Sequence, residues 1–94
     1  MEGEDFEWDD AKAASNDRKH CVTFEIAKLV FRDPFAIEDE DWDLDSGEPR
    51  YEIIGTARER LLFVAYTMRG PRIRIISARE AEPYEKRRYY KEEC

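Results

Sequence analysis

Residues 51–77 read YEIIGTARERLLFVAYTMRGPRIRIIS, and this stretch decides the fold. It contains three runs with the β-branched and aromatic composition of strands. They are Tyr51 to Ala57, Leu61 to Thr67, and Arg72 to Ser77. The connections between them are three and four residues long, and the second contains Gly70 and Pro71, which favour chain reversal. The stretch therefore predicts an antiparallel meander.

Flanking segments add short elements on both sides of this meander. Before the meander, we predict a strand at Phe6 to Trp8 and a helix that is capped by Asp9 or Asp10 and ends near Lys19. A second helix, capped by Thr23, ends before Asp33-Pro34 and is followed by a strand at Phe35 to Ile37. After the meander, we predict a third helix from about Glu82 to Glu92. Ninety-four residues hold one core, so we expect a single α+β domain over residues 1–94. Two acidic segments, 1–5 and 38–49, are predicted to be exposed, the second as a loop.

Charge is distributed unevenly along the chain. The net charge is −7, yet 13 of the 23 acidic residues lie in residues 1–10 and 37–49, which contain no base. From Arg58 to Arg79, six arginines accompany one acid, Glu59. Such segregation creates a local positive field, so the acidic total does not exclude a nucleic-acid partner. The alternative is that these arginines are only the solvated face of exposed strands.

The sequence offers little for metal, redox or membrane function. Cys21 and Cys94 form no CxxC or Cys/His cluster with the spacing of a zinc site. No apolar run approaches the roughly 20 residues that cross a bilayer, and the acidic start does not resemble a signal peptide. We therefore expect a cytoplasmic protein with no metal, no cofactor and no membrane association.

Two long stretches of the sequence contain short motifs whose order and spacing can be compared with those of known families. The first, residues 6–34, reads FEWDDAKAASNDRKHCVTFEIAKLVFRDP; the second, residues 50–81, reads RYEIIGTARERLLFVAYTMRGPRIRIISAREA. The order and spacing of Trp-Asp, Lys-His, Phe-x-Asp-Pro, Leu-Leu-x-Val-x-Tyr-Thr and Arg-Ile-Ile-Ser-Ala-Arg-x-Ala resemble the BrnT family of bacterial toxins. The resemblance extends from Phe6 to Tyr90, with a departure at Cys21, where the family usually has glycine. Cys21 must adopt a left-handed conformation, or the helix must end differently.

The resemblance implies a fold, an activity and a partner. It implies a RelE-like antiparallel sheet with two N-terminal helices and one C-terminal helix. It also implies an endoribonuclease toxin that cuts RNA without a metal to arrest growth, as one half of a type II toxin-antitoxin pair. The implied partner is a BrnA-type ribbon-helix-helix antitoxin, through which operator DNA would be contacted.

Candidate catalytic residues follow from the chemistry of such cleavage. A base must take the 2′-hydroxyl proton, a cation must stabilise the phosphorane, and an acid must protonate the leaving oxygen. His20 is the only histidine, and four-residue steps place Lys12, Asn16 and His20 on one side of the first helix. Arg79, at the end of the last strand, is the candidate for stabilising the phosphorane. The alternative is a solvated helix face whose histidine favours the helix dipole.

Candidate RNA-binding residues lie in and between the strands. Arg72 and Arg74 share a strand face and suit phosphate binding, while Arg58 and Arg60 at a hairpin would steer RNA. Their alternative role is salt bridging to the abundant carboxylates. Tyr66 either stacks on a base or packs in the sheet.

Two other function classes remain possible on the sequence. One is a noncatalytic toxin homologue, whose basic face only docks an acidic partner segment. The other is a DNA-binding regulator, for which the sequence contains no convincing helix-turn-helix.

Overall fold

The computed structural model describes residues 5–42 and 49–93, in which five strands form one sheet in the order β1-β5-β4-β3-β2. The elements are β1 (Phe6–Glu7), α1 (Asp10–His20), α2 (Phe24–Ala27), a 3₁₀ helix (Lys28–Arg32), β2 (Ile37–Trp42), β3 (Pro49–Ala57), β4 (Arg60–Arg69), β5 (Arg72–Glu80) and α3 (Pro83–Glu93). The predicted α+β class is therefore confirmed.

The predicted meander is also confirmed, since β3, β4 and β5 pair in antiparallel order. Arg58 and Glu59 form the first turn with φ of 48° and 70°. Both values are left-handed, as a two-residue turn matching the twist of the strands requires. The second turn uses the positive φ of Gly70, 59°, before Pro71.

The sheet differs from the prediction at both of its edges. Phe6 pairs with Ile73 in a parallel register, so the sheet is mixed and the expected antiparallel sheet was wrong in this strand. Residues 38–42, predicted as loop, belong to β2, in which Ile37 lies opposite Ile54 of β3. Charged residues are common on an edge strand because they discourage further strand pairing. Residues 1–4 and 43–48 of the predicted exposed segments lie outside the described residues.

Both predicted N-terminal helices are present, but the second changes type. Asp9 caps α1 by accepting a hydrogen bond from the Lys12 backbone N–H at 3.0 Å, and Cys21 ends it in the left-handed conformation with φ of 57°. Thr23 caps α2. This segment is α-helical only to Ala27 and continues as the 3₁₀ helix, a common form near helix ends. The helix ends at Arg32, because Pro34 disfavours helical geometry at Asp33.

The close approach of the 3₁₀ helix to β3 depends on Gly55. A Cβ atom at this position would lie 2.9 Å from Cγ1 of Val30 and 3.1 Å from Cβ of Ala36. The missing side chain therefore lets the helical segment pack directly on the sheet.

The two faces of the sheet carry different layers. On one face α1, α2 and the 3₁₀ helix cover the main core; its fully buried members include Val22, Phe24, Ala27, Val30, Leu62 and Val64. On the other face α3 packs a smaller cluster made of Ile54, Leu61, Ala81 and Tyr89. In the part of the chain that the structure describes, no helix is long and apolar enough to span a bilayer.

Candidate functional site

The candidate site is the strand face opposite α1 and α2, beside α3. Alternate residues of β4 share this face, and each lies opposite a residue of β5. We call it the arginine face; its cross-strand pairs are Phe63 and Arg79, Ala65 and Ser77, Thr67 and Arg74, and Arg69 and Arg72. Small side chains in the middle separate arginines at both ends, and Glu52 of β3 lies opposite Ala65 on the same face.

A β-bulge brings the arginines onto this common face. Strict alternation along β5 would place Arg79 on the face opposite Arg72 and Arg74. The register with β4 skips Ile76, so β5 contains one extra residue and its alternation reverses at that point. The predicted phosphorane-stabilising residue and the predicted phosphate-binding residues therefore point to the same side.

Arg79 is held in one orientation by contacts on two sides. Its Nη1 and Nη2 donate to the two carboxylate oxygens of Glu85 at 2.8 and 2.9 Å, and Nη2 lies 3.3 Å from Oε1 of Glu82. The guanidinium carbon lies 4.2 Å from the ring centroid of Phe63, a cation–π contact. The hydrogen bond with Glu85 raises the pKa of Arg79, while 28% of its side chain stays exposed. Arg79 is thus a fixed, permanently charged group with an open side.

Glu85 connects this arginine to the start of α3. Its side chain is only 1% exposed, and Oε1 also accepts a hydrogen bond from the Glu82 backbone N–H at 2.8 Å. Burial favours a raised pKa, but the hydrogen bonds from Arg79 and Glu82 outweigh it and keep the pKa of Glu85 below its ordinary value. Glu85 also raises the pKa of the exposed Tyr84.

A second carboxylate, Asp33, holds the other end of α3. Its Oδ2 accepts hydrogen bonds from the Tyr89 hydroxyl at 2.6 Å, the Thr56 backbone N–H at 2.8 Å and the Thr56 hydroxyl at 3.0 Å. Burial again favours a raised pKa, and these bonds, with that from the Phe35 N–H, instead lower the pKa of Asp33. The position of α3 beside the arginine face therefore depends on two ionised carboxylates.

This arrangement predicts acid-sensitive docking of α3. Because the folded pKa values of Asp33 and Glu85 lie below the ordinary 3.8 and 4.5, their stabilisation is present above those values and is lost as pH falls through the folded ones. Tyr89→Phe should lower the free energy of unfolding by about 1.5–3 kcal/mol at pH 7, and by less at pH 3. Urea unfolding at the two pH values measures both effects.

The matched control for this prediction is Tyr90→Phe, because the neighbouring Tyr90 is 51% exposed. It should leave the unfolding free energy nearly unchanged at either pH. A loss for Tyr89→Phe that stays the same down to the pH at which the protein unfolds would show that Asp33 ionisation does not hold the helix.

Arg74 and Arg72, the predicted phosphate-binding pair, lie together on the arginine face. Arg74 donates to Oε2 of Glu7 at 2.6 Å, a partly buried ion pair that joins β5 to β1. This contact is the salt-bridging alternative that the sequence left open. The Arg74 guanidinium is still accessible from solvent, since 27% of its side chain stays exposed.

The predicted row on α1 is divided by the fold. Asn16 is 7% exposed, donates to the backbone carbonyls of Val22 at 3.0 Å and Ala78 at 2.8 Å, and accepts from the Ala78 N–H at 3.1 Å. Lys12 and His20 are exposed, one turn before and one turn after it. Asn16 is thus a structural link between α1 and β5. His20 is the last residue of α1, and Arg79 lies on the opposite face of the sheet from that helix.

The remaining predicted residues lie away from the centre of the arginine face. Arg58 is exposed in the β3–β4 turn, and Arg60 donates to Glu80 at 3.1 Å. These positions suit the predicted steering role, which stays a prediction.

Tyr66 is buried on the helix-covered face of the sheet. Its ring is 6% exposed, stacks on Tyr51 at 5.4 Å between centroids and meets Phe31 edge-on. Burial and the nearby Glu38 carboxylate raise the pKa of Tyr66 to about 12. Its surroundings correspond to the packing alternative, because stacking on a base would require the core to open.

Among the described residues, no group of three or more His, Cys, Asp and Glu side chains is arranged to hold a metal ion. The sequence model of one protein family matches residues 8–85; its description is ribonuclease toxin, BrnT, of type II toxin-antitoxin system. The chain belongs to the BrnT family. A comparison with curated protein sequences gave no match.

Membership of a ribonuclease toxin family bears on which molecules the arginine face could bind. A BrnT toxin acts on RNA and has an antitoxin partner, so an exposed cationic strand face is relevant to both. Glu7 and Glu85, which hold Arg74 and Arg79, were missing from the residues predicted for the site. Glu85 had a sequence signal, because its place three residues after the helix cap Glu82 is that of a capping box. Glu7 had none, since its partner is 67 residues away.

Proposed function

We propose that this chain is a metal-independent endoribonuclease toxin that binds RNA across the arginine face and is neutralised by a BrnA-type antitoxin. It would act in the cytoplasm, with a RelE-like fold as its scaffold. The observation that carries the proposal is the clamped Arg79 guanidinium, which projects its open side onto a face that also holds Arg72 and Arg74.

Arg79 suits stabilisation of the phosphorane because its position is fixed before substrate binds. A cation that needs no reorganisation stabilises charge developing in the transition state more than charge already present in the substrate. Phe63 beneath the guanidinium and Glu85 beside it hold the planar fork, and a phosphate would reach it through the 28% of the side chain that stays exposed. Arg72 and Arg74 then bind the neighbouring phosphates.

Proton transfer is assigned to the edge of β5. Asn16 ties α1 to the Ala78 backbone, and His20 lies one turn further along the helix, so we assign its imidazole to the end of β5 that carries Arg79. In this proposal an RNA strand bends around that edge, His20 takes up or delivers a proton, and Lys12 contacts the flanking backbone. Arg58 and Arg60 guide RNA towards the face.

RNA cleavage in EDTA tests the proposal directly. Wild-type protein should cleave RNA with the chelator present and arrest growth when expressed without its antitoxin. Arg72→Ala/Arg74→Ala should weaken RNA binding by about 10-fold or more, because each phosphate contact contributes to affinity and its salt dependence. Cleavage rates at several RNA concentrations, and the slope of affinity against salt, measure this.

Glu7→Gln is the matched control for the double variant. It breaks the same ion pair with Arg74 while leaving both arginines in place, so RNA affinity should be retained. If Glu7→Gln loses as much RNA affinity as the double alanine variant, RNA binding depends on the β1–β5 ion pair and not on the charge of the two arginines.

The noncatalytic alternative also has an observation in its favour. Arg79 and Arg74 are each engaged with a carboxylate, as they would be in a face that only docks an acidic protein segment. Soluble, folded wild-type protein that leaves RNA intact but binds its antitoxin would support this alternative over the enzyme.

The same face is proposed to be covered when the toxin is silenced. An acidic antitoxin segment would pair carboxylates with the arginine forks and exclude RNA. The ribbon-helix-helix part of a BrnA-type antitoxin would then be left to contact operator DNA.

A further inference from the structure

An apolar groove lies at the end of the molecule where the β4–β5 hairpin turns. It has a volume of about 550 Å³ and is bordered by the 3₁₀ helix on one side and by β1 and the hairpin on the other. Its walls are mainly hydrophobic; they are formed by Phe6, Leu29, Phe31, Met68, Pro71 and Ile73. Met68 is 45% exposed, which is high for a large apolar side chain beside a core.

The charges around this groove are mainly positive. Lys28 and Arg32 of the 3₁₀ helix line it, against one acid, Asp5, among the lining residues that the structure describes. Lys28 Nζ lies 5.8 Å from the ring centroids of Phe6 and Trp8, so its charge is held over an aromatic wall. An apolar groove with a cationic rim is complementary to apolar side chains flanked by carboxylates.

The β4–β5 hairpin connects this groove to the arginine face. Met68 pairs with Ile73 across the hairpin and both line the groove, while the next pair, Arg69 and Arg72, points to the arginine face. A partner segment that passes over the hairpin tip therefore contacts the groove and the arginine face in succession.

We infer that the groove is a docking site for an amphipathic segment of the antitoxin, whose apolar side chains enter it and whose carboxylates meet Lys28 and Arg32. This inference rests on the proposed neutralisation by an antitoxin. Anchoring outside the arginine face lets the antitoxin bind tightly without its affinity depending only on charges that RNA also contacts. It also gives the antitoxin an apolar anchor, which RNA phosphates lack.

Methyl-detected NMR on the full chain gives the first test. The sequence contains two methionines, Met1 and Met68, so ¹³C-methyl labelling yields a simple spectrum. Adding the antitoxin encoded beside the toxin gene should shift or broaden the Met68 methyl signal. An unchanged Met68 signal in a saturated complex overturns the inference.

Binding measured by calorimetry with surface variants gives the second test. Met68→Glu should raise the Kd for the antitoxin by about 10-fold or more, and Arg32→Glu by about 5-fold, since apolar anchors and rim charges contribute unequally. Matched controls are Phe35→Glu, an apolar residue 54% exposed outside the groove, and the exposed Arg18→Glu on α1. Both controls should stay within about 2-fold of wild type.

The binding measurements distinguish an antitoxin site in the groove from the other uses of this surface. Circular dichroism confirms folding, and the exposed Arg32 variant carries the test if Met68→Glu does not fold. Wild-type affinity in both groove variants overturns the inference. Two other results would also overturn the inference. One is a wild-type dimer that Met68→Glu converts to a monomer. The other is a loss of RNA cleavage in the groove variants while their binding to the antitoxin stays intact. Wild-type protein that does not cleave RNA would reject the proposed enzyme and still leave the antitoxin measurement interpretable.

Discussion

Replacing Arg79 by alanine is expected to slow RNA cleavage by about 100- to 1,000-fold, the usual cost of removing one fixed donor from a transition-state oxyanion. The loss should appear mainly in kcat, because Arg72 and Arg74 continue to bind the substrate backbone. Arg79→Lys should recover only part of the rate, since lysine keeps the charge but lacks the planar fork that Glu85 and Phe63 hold. Single-turnover cleavage at saturating RNA measures each variant.

A structural role for Arg79 must be separated from a catalytic one. Arg79→Ala leaves the buried Glu85 carboxylate without its main partner, so the variant will also be less stable. Glu85→Gln breaks the same ion pair but keeps the guanidinium, and should therefore lose stability with a much smaller loss of rate. Wild-type cleavage rates in folded Arg79→Ala protein would mean that Arg79 serves the fold alone.

The elements that depend on local pattern were predicted well from the sequence. Strands β3, β4 and β5 follow their apolar composition and turn residues, and α1 follows its cap at Asp9 and its helix-forming residues. The third helix begins one residue from its predicted start at Glu82. In each case the deciding interactions lie within a few residues along the chain, which is the range that a sequence pattern reports.

The elements that depend on distant partners were not predicted. Residues 38–42 form a strand because β3 provides an edge, despite their loop-like composition. The bulge at Ile76 follows from pairing with β4, and it places Arg79 on the same face as Arg72 and Arg74. Tyr66 was ambiguous because composition does not say which face of a strand is covered. The composition of the arginine face was therefore predictable, whereas its geometry was not.

Asn16 is the clearest case of a residue whose role only the fold reveals, and its removal should have the largest effect on stability. Ala78 belongs to the part of β5 that extends past β1, where its N–H and C=O point away from β4 towards an open edge. The amide of Asn16 satisfies both groups and also the Val22 carbonyl. It thus takes the place of a neighbouring strand at an edge that would otherwise invite pairing with another chain.

Asn16→Ala should lower the free energy of unfolding by about 3 kcal/mol, because buried backbone groups lose partners that solvent replaces only in part. At about 4–8 °C per kcal/mol for a domain of this size, Tm should fall by on the order of 15 °C. The exposed neighbour Ser15→Ala is the matched control, and should leave Tm unchanged or slightly raised since alanine favours the helix. Sedimentation of the folded variant should also show concentration-dependent association through the uncovered β5 edge. A Tm within about 2 °C of wild type would mean that the α1–β5 link does not depend on this amide, because such a shift corresponds to less than 1 kcal/mol.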